Sequence, residues 1–331
     1  DENATELAFL YSKDTAKVKN YSLYYWSEKD AKPRMIIDGE TPGMAKGMNV
    51  SENGRLFFSP NGQRLFFGTA PKPVVPKEEK DTLLADDKVS VDIWHWQEET
   101  LQSMQLKRVD QERRTTYLAV YNLKKNHMVQ LADSVFIDNY RLVQQGDADL
   151  ALGFYDAPYR LKNDIADSDI KDVYITDLNT GDDVKVFEKV SFGPALSPQG
   201  KYLYWWEPVD SSWYCYQVRE KVKINLTHGL PVEFTYDIHD TPDEPRSYGI
   251  MGWTDNDESL YIYDKFDIWK VDPQGKKQPI CVTDGYGRKN DLSIRYLSLD
   301  PEEKFLDIKK NNLFTLKQVK NKKSGYCRFS L

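Results

Sequence analysis

The residues best equipped for chemistry are Asp237, His239 and Asp240, side chains that can coordinate a metal ion or exchange protons. They lie in an irregular stretch, 231–246, that also carries Pro242, Asp243, Glu244 and Pro245. Prolines set among acids equally describe a solvated rim loop, so both readings of the trio stay open. A second acidic group, Asp164, Asp167 and Asp169, offers the oxygen ligands that calcium takes but lacks the glycine and terminal glutamate of an EF-hand. His95 has no second ligand at metal-binding spacing and reads as a structural histidine. Cys215, Cys281 and Cys327 form no C-x-x-C pair. Each falls in a predicted strand, where an unpaired cysteine is a small buried apolar residue, and the three do not decide the redox compartment. No residue is assigned as catalytic, cofactor-binding or metal-ligating, and no cofactor is expected.

The elements that must position these groups are strands. In the stretch 248–275, YGIMGWTDNDESLYIYDKFDIWKVDPQG, Ile250 to Trp253 lead into a polar turn at Thr254 to Asp257. Leu260 to Tyr263 follow, then a turn through Asp264 and Lys265, then Asp267 to Val271 and a turn at Asp272 to Gly275. This is a three-stranded meander with turn residues where the chain reverses. So short a meander cannot bury both faces alone, which predicts that it recurs.

Degenerate copies are present. Ser197-Pro198-Gln199-Gly200 and Ser59-Pro60-Asn61-Gly62 each precede a strand as Thr254 to Asp257 do. Asp300-Pro301-Glu302-Glu303 is a weaker copy, 144–150 weaker still, and 1–7 fits by spacing only. The first turn residues, 1, 59, 144, 197, 254 and 300, are separated by 58, 85, 53, 57 and 46 residues. Apart from one long interval that must hold an insertion, these lie near the ~40–50 residue period of propeller blades. A second landmark repeats at Asp92-Ile93-Trp94, Asp172-Val173-Tyr174 and Asp267-Ile268-Trp269, with variants at Ser22-Leu23-Tyr24, Ser212-Trp213-Tyr214 and Asn312-Leu313-Phe314. The expected fold is an all-β propeller of about six blades of four antiparallel strands, alone or as part of a larger propeller. The blades are placed near 1–58, 59–143, 144–196, 197–253, 254–299 and 300–331, in a single domain.

Composition agrees. The 331 residues are 13% aromatic, as pleated, half-buried strands prefer. A net charge of -7 opposes nucleic acid or an anionic membrane as the main partner. No apolar run approaches the ~18–20 residues of a membrane-spanning helix, and Asp1-Glu2-Asn3 is no signal peptide.

In chain order, strands are expected at 6–11, 22–26, 34–37, 55–58 and 65–67, with a loop at 43–49. The segment 70–88, with Pro71, Pro73, Pro76 and the run Lys77-Glu78-Glu79-Lys80-Asp81, is expected to be an extended, solvated insertion, or else a lid or partner-contacting arm. Strands at 89–96, 116–121 and 128–131 would complete that blade, with Trp94 and Trp96 on one face and His95 on the other. The later strands are expected at 202–206, 213–218, 222–226, 279–283, 293–297, 304–308, 313–319 and 326–330. No helical periodicity stands out.

Longer strings narrow the family. Asn53-Gly54-Arg55-Leu56-Phe57-Phe58-Ser59 with Gly68-Thr69-Ala70-Pro71, Val91 to Trp96, Gly249 to Thr254, Tyr263-Asp264-Lys265-Phe266-Asp267-Ile268-Trp269 and Gly287-Arg288-Lys289-Asn290 resemble the propeller region of prolyl oligopeptidase-type (family S9) serine peptidases of Bacteroidetes. The resemblance runs along nearly the whole chain and is strongest over 49–130 and 225–305. The Ser-Pro-x-Gly turns alone are shared with any TolB-like propeller. What the resemblance implies is an exported enzyme, periplasmic or secreted, in which a propeller caps a C-terminal α/β-hydrolase domain and filters the peptides that reach its serine.

The nucleophile elbow of such a hydrolase, G-x-S-x-G, is absent: Ser247 has Pro245 and Gly249 at its flanking positions, and Ser191 has Lys189 and Gly193. The alternating strand and helix pattern of that domain is missing too. The family's catalytic residues are therefore carried onto no position here, and this chain is expected to be inactive alone. The leading reading is the non-catalytic propeller of an S9-type peptidase, its partners being peptide substrates and the hydrolase domain. The alternatives are a free-standing TolB-like propeller that binds a protein partner and a metal-dependent propeller enzyme. A turn at Asp1 with no strand before it, set against a last blade that reaches its outer edge, suggests a piece of a longer parent.

Overall fold

The computed structural model describes residues 4–331 except 17, 75–88, 90, 134–138, 167, 168, 192, 243 and 302. The described residues form antiparallel sheets whose strands run up and down in chain order. The chain divides into two compact units, Asp1–Ser191 and Phe192–Leu331.

The first unit stacks three sheets. The first sheet is β1 (Glu6–Tyr11), β2 (Ser22–Ser27) and β3 (Arg34–Ile37). In the second, β4 (Met48–Val50) and β5 (Phe57–Phe58) both pair with β6 (Arg64–Pro71), followed by β7 (Tyr117–Asn122) and β8 (His127–Gln130). The third is β9 (Asn139–Leu142), β10 (Leu150–Tyr155), β11 (Lys171–Asp177) and β12 (Asp183–Val190). Side-chain alternation along β6 feeds two apolar layers. Leu65 and Phe67 pack with Leu23 and Ile37 of the first sheet, and Phe66 packs with Ala151 of the third and with Leu178, just past the end of β11. Between β4 and β5 the chain presses on β6 so closely that a Cβ on Gly54 would stand 2.4 Å from the Gly68 Cα. Only glycine at both positions allows that approach.

The second unit repeats the arrangement with β13 (Ala195–Leu196), β14 (Tyr202–Glu207), β15 (Ser212–Gln217) and β16 (Val222–Asn225), then β17 (Ile250–Trp253), β18 (Leu260–Tyr263), β19 (Ile268–Val271) and β20 (Ile280–Cys281), then β21 (Leu292–Tyr296), β22 (Asn312–Gln318) and β23 (Ser324–Phe329). Here β18 is the strand buried on both faces. Leu260 and Ile262 join Tyr202, Trp213 and Cys215, while Tyr261 and Tyr263 join Ile294 and Phe314. Each fully buried Leu, Ile or Phe contributes about 1.5–3 kcal/mol, so the two layers on either side of β18 hold the middle sheet of this unit in place.

Three of the turns read from the sequence share one bonding pattern. Ser59, Ser197 and Thr254 donate their backbone N–H to the carbonyls of Arg64, Tyr202 and Ser259. Their hydroxyl oxygens accept the N–H of those same residues at 3.1, 3.0 and 3.1 Å. Their own carbonyls accept the N–H of Gly62, Gly200 and Asp257, each with positive φ. The hydroxyl residue is thus needed to close the turn, and the fourth position must tolerate the left-handed region, which favours glycine and next to it Asp or Asn. The turns at Ser197 and Thr254 join the first and second strands of their sheets and that at Ser59 joins β5 to β6, so intervals counted from turn to turn cut each of these sheets before its long inner strand.

Several expectations are corrected. Of the strand expected at 89–96, the described residues 89 and 91–96 form none. β6 pairs directly with β7, so the insertion runs from 72 to 116, well past the expected 88. It includes the helix α1 (Gln102–Glu112), which the sequence did not signal because none of its residues is buried and no apolar stripe was required of it. Two shorter helices, α2 (Arg160–Ala166) and α3 (Tyr286–Asn290), were missed as well. Of the expected insertion 70–88, residues 75–88 lie outside the described residues. The loop expected at 43–49 ends in β4. The expected strand at 304–308 is a single parallel bridge, Leu306 to Thr254, with Leu306 N–H on the Trp253 carbonyl at 2.8 Å. Leu306 seals the side of Gly252, where a Cβ would meet it at 3.1 Å.

Candidate functional site: a cationic cleft beside Asp237

The connection from β16 to β17 carries the Asp237 trio and is anchored at several points. Phe234 is buried in the core and meets Trp269 edge-on, and Thr235 bridges Ser247 in antiparallel fashion. Tyr236 N–H donates to the Arg246 carbonyl at 2.7 Å, Tyr248 N–H to the Phe234 carbonyl at 3.0 Å, and the Trp206 indole N–H to the Pro245 carbonyl at 2.9 Å. Asp237 accordingly has a fixed place. Its carboxylate pairs with the Lys265 ammonium and accepts the Tyr248 hydroxyl proton. The Lys265 bond first, and the Tyr248 bond next, hold the Asp237 carboxyl below its usual range. Burial first, and the bond to Asp237 second, push the Tyr248 phenol up.

This geometry commits Asp237 to an ion pair. His239 is half-buried and Asp240 exposed, and among the described residues no group of three or more His, Cys, Asp or Glu is placed to hold a metal ion. Of the calcium candidates, Asp169 pairs with Lys171, Asp164 is exposed at α2, and Asp167 lies outside the described residues. His95 is no core histidine: it lies exposed, stacked on Trp96 at 6.3 Å, with Nδ1 accepting the Gln97 N–H at 3.3 Å. Cys215 is fully buried, and burial raises its thiol pKa; Cys281 and Cys327 are half-buried, and all three are unpaired. Ser247 Oγ accepts the Gly249 N–H at 3.1 Å.

Around Asp237 a cleft of about 440 Å³ gathers groups the sequence reading did not single out. Arg246, Lys265, Arg295, Lys317 and Lys322 line it, against the one carboxylate of Asp237. Arg295 is fixed at the back. Its guanidinium donates to the Ile294, Asp264 and Lys265 carbonyls at 2.8, 2.8 and 3.3 Å and lies over the Tyr263 and Tyr248 rings at 4.5 and 5.6 Å. Burial lowers its pKa from the usual arginine value. Tyr236 meets Tyr248 edge-on at 5.4 Å, adding an aromatic wall. A second cleft of about 400 Å³ shares Asp237, Tyr248 and Lys265 with the first and is also lined by Arg288. The cations come from the 231–248 connection, the β18–β19 turn, β21, and the β22 end with the turn after it, too far apart for any spacing rule. Alternation of Ser293 and Arg295 on one face of β21 was the available signal.

The class these sheets define is an all-β chain of up-and-down antiparallel meanders. Among solved structures it matches a TolB protein of Agrobacterium tumefaciens at 13% identity, over 89% of this chain and 83% of that one, with a TM-score of 0.33. It matches the acylaminoacyl peptidase of Pyrococcus horikoshii at 14% identity, over 95% of this chain and 49% of that one, with a TM-score of 0.30. It also matches the β-propeller domain of the trilobed protease of Pyrococcus furiosus, a domain of open velcro topology, at 11% identity over 98% and 92% of the two chains, with a TM-score of 0.27. The chain spans about half the length of the acylaminoacyl peptidase. No family model matches the chain, and no curated protein matches it. Among the described residues no helix is long and apolar enough to cross a membrane.

Proposed function

We propose that the six sheets form one β-propeller domain of about six blades, alone or within a larger propeller, and that it serves an exported serine peptidase of the prolyl oligopeptidase type. In that enzyme the propeller restricts which peptides reach a hydrolase domain that is not in this chain. The observation that carries the reading is where two strings of the resemblance, Tyr263 to Trp269 and Gly287 to Asn290, lie. Asp264 and Asp267 of the first string take the Arg288 guanidinium at 3.0 Å and the Gly287 and Arg288 N–H groups at 2.8 and 3.1 Å, all from the second. Separated in sequence, they form one hydrogen-bonded unit, which is how a family-specific structural element behaves, as opposed to two chance matches. The recurring hydroxyl-closed turns and the lack of any G-x-S-x-G in the sequence support the same reading.

The coding sequence beyond Leu331 tests it. A G-x-S-x-G motif within an α/β-hydrolase pattern in the same reading frame is the expected result. A stop codon directly after Leu331 overturns the assignment to a peptidase.

A further inference from the structure

We propose that the cleft beside Asp237 binds carboxylates carried by peptides. For its occupant, the proposal rests on the peptide-handling reading above. The charge distribution comes first. The chain has 52 acidic and 45 Lys or Arg residues, yet this cleft holds five cations and one carboxylate. That carboxylate is taken by Lys265. Among the described residues Arg246, Lys317 and Lys322 make no ion pair, and all three are exposed at the rim. Like charges gathered in a concave, partly apolar site repel one another and focus a positive field, and an entering anion relieves that repulsion.

The ligand class follows from what surrounds the cations. Tyr236, Tyr248, Ile238 and Val319 give apolar surface beside the charges, and Ser247 and Ser293 offer hydroxyls. A volume of about 440 Å³ suits a few residues of peptide, not a polymer track. Nucleic acid needs an extended basic path, which a chain of net charge -7 does not provide. Arg246 presents an exposed fork for a carboxylate, Lys317 and Lys322 add point charges, and Arg295, its donors largely spent on backbone carbonyls, supplies fixed positive potential from behind. The carboxylate comes from an acidic side chain or from a peptide C-terminus.

Calorimetric titration of the 331-residue chain with three acetylated hexapeptides of one framework tests this. One carries two glutamates and an amidated end, the second glutamines and a free C-terminal carboxylate, the third glutamines and an amidated end. At least one carboxylate peptide is expected to bind ten-fold or more tightly than the neutral one, and which of them does so identifies the carboxylate source. Arg246→Gln/Lys322→Gln should reduce that binding to the neutral level, while Lys107→Gln/Arg108→Gln on α1, the same charge change elsewhere, should leave it intact. Equal binding of all three peptides removes this inference and leaves the peptide-handling reading standing. Absence of binding, or indifference to the cleft substitutions, removes it too, whereas the peptidase assignment is decided separately by the coding sequence.

Discussion

Ser197 and Asp257, 60 residues apart, are joined by a 2.5 Å hydrogen bond in which the serine hydroxyl donates to the carboxylate. Asp257 also accepts the Gln199 N–H at 3.0 Å and is almost fully buried. It thereby fastens the first turn of one sheet to the corresponding turn of the next. The same device appears in the other unit, where Asp147 accepts the Asn61 N–H at 2.8 Å.

Replacing Asp257 by alanine leaves a buried hydroxyl and an amide without their acceptor, and should cost about 2–4 kcal/mol, the range for losing charge-assisted bonds and stranding their donors. Asp257→Asn keeps an acceptor oxygen and tolerance of positive φ, and should cost less. Urea unfolding of both variants checks the order. An alanine midpoint equal to that of the parent would contradict the turn-to-turn latch.

The Ser-Pro-x-Gly turns, β14, β15, β18 and β19 were legible because turn residues and two-residue alternation are local signals. What makes serine necessary at 59 and 197 was not legible, since its role depends on which N–H the fold brings to its hydroxyl. The strand expected at 89–96 failed for a related reason. An aromatic, β-branched run has strand propensity, but a strand needs a neighbour, and β6 and β7 already pair with each other. Asp237 was singled out for its chemistry, yet its partner Lys265 is 28 residues away and its cleft is lined from four separate segments, so the sequence showed the acid without the cations.

α1 packs none of its residues into the core, and Trp94 and Trp96 before it are 66% and 79% exposed. Brief trypsin treatment under native conditions should therefore cut first within 107–114, at Lys107, Arg108, Arg113 or Arg114, with both compact units surviving. Mass spectrometry of the fragments checks this. First cleavage inside β14–β16 would show that α1 is the better protected segment.

Asp237 has its folded pKa lowered by Lys265 and then Tyr248. A depressed carboxylate contributes stability above its unfolded value, about 3.9, and loses it as the pH falls through the folded value. The native chain should exceed Asp237→Asn in stability at pH 6, with the gap narrowing as the solution is acidified below about pH 4. Since the Asp237 side chain is 43% exposed, solvent screening limits the gap to about 1 kcal/mol or less. Paired urea midpoints at pH 6 and pH 3.5 read it, and a gap that widens on acidification would reverse the assigned sign.

The proposed role, a propeller that serves peptidase chemistry without performing it, is open to fluorophosphonate labelling of the 331-residue chain followed by intact-mass analysis, with a prolyl-peptide hydrolysis assay on the same sample. No covalent adduct and no turnover are expected, because the sequence holds no G-x-S-x-G elbow. Stoichiometric labelling of one serine, with hydrolysis abolished by its replacement with alanine, would contradict it.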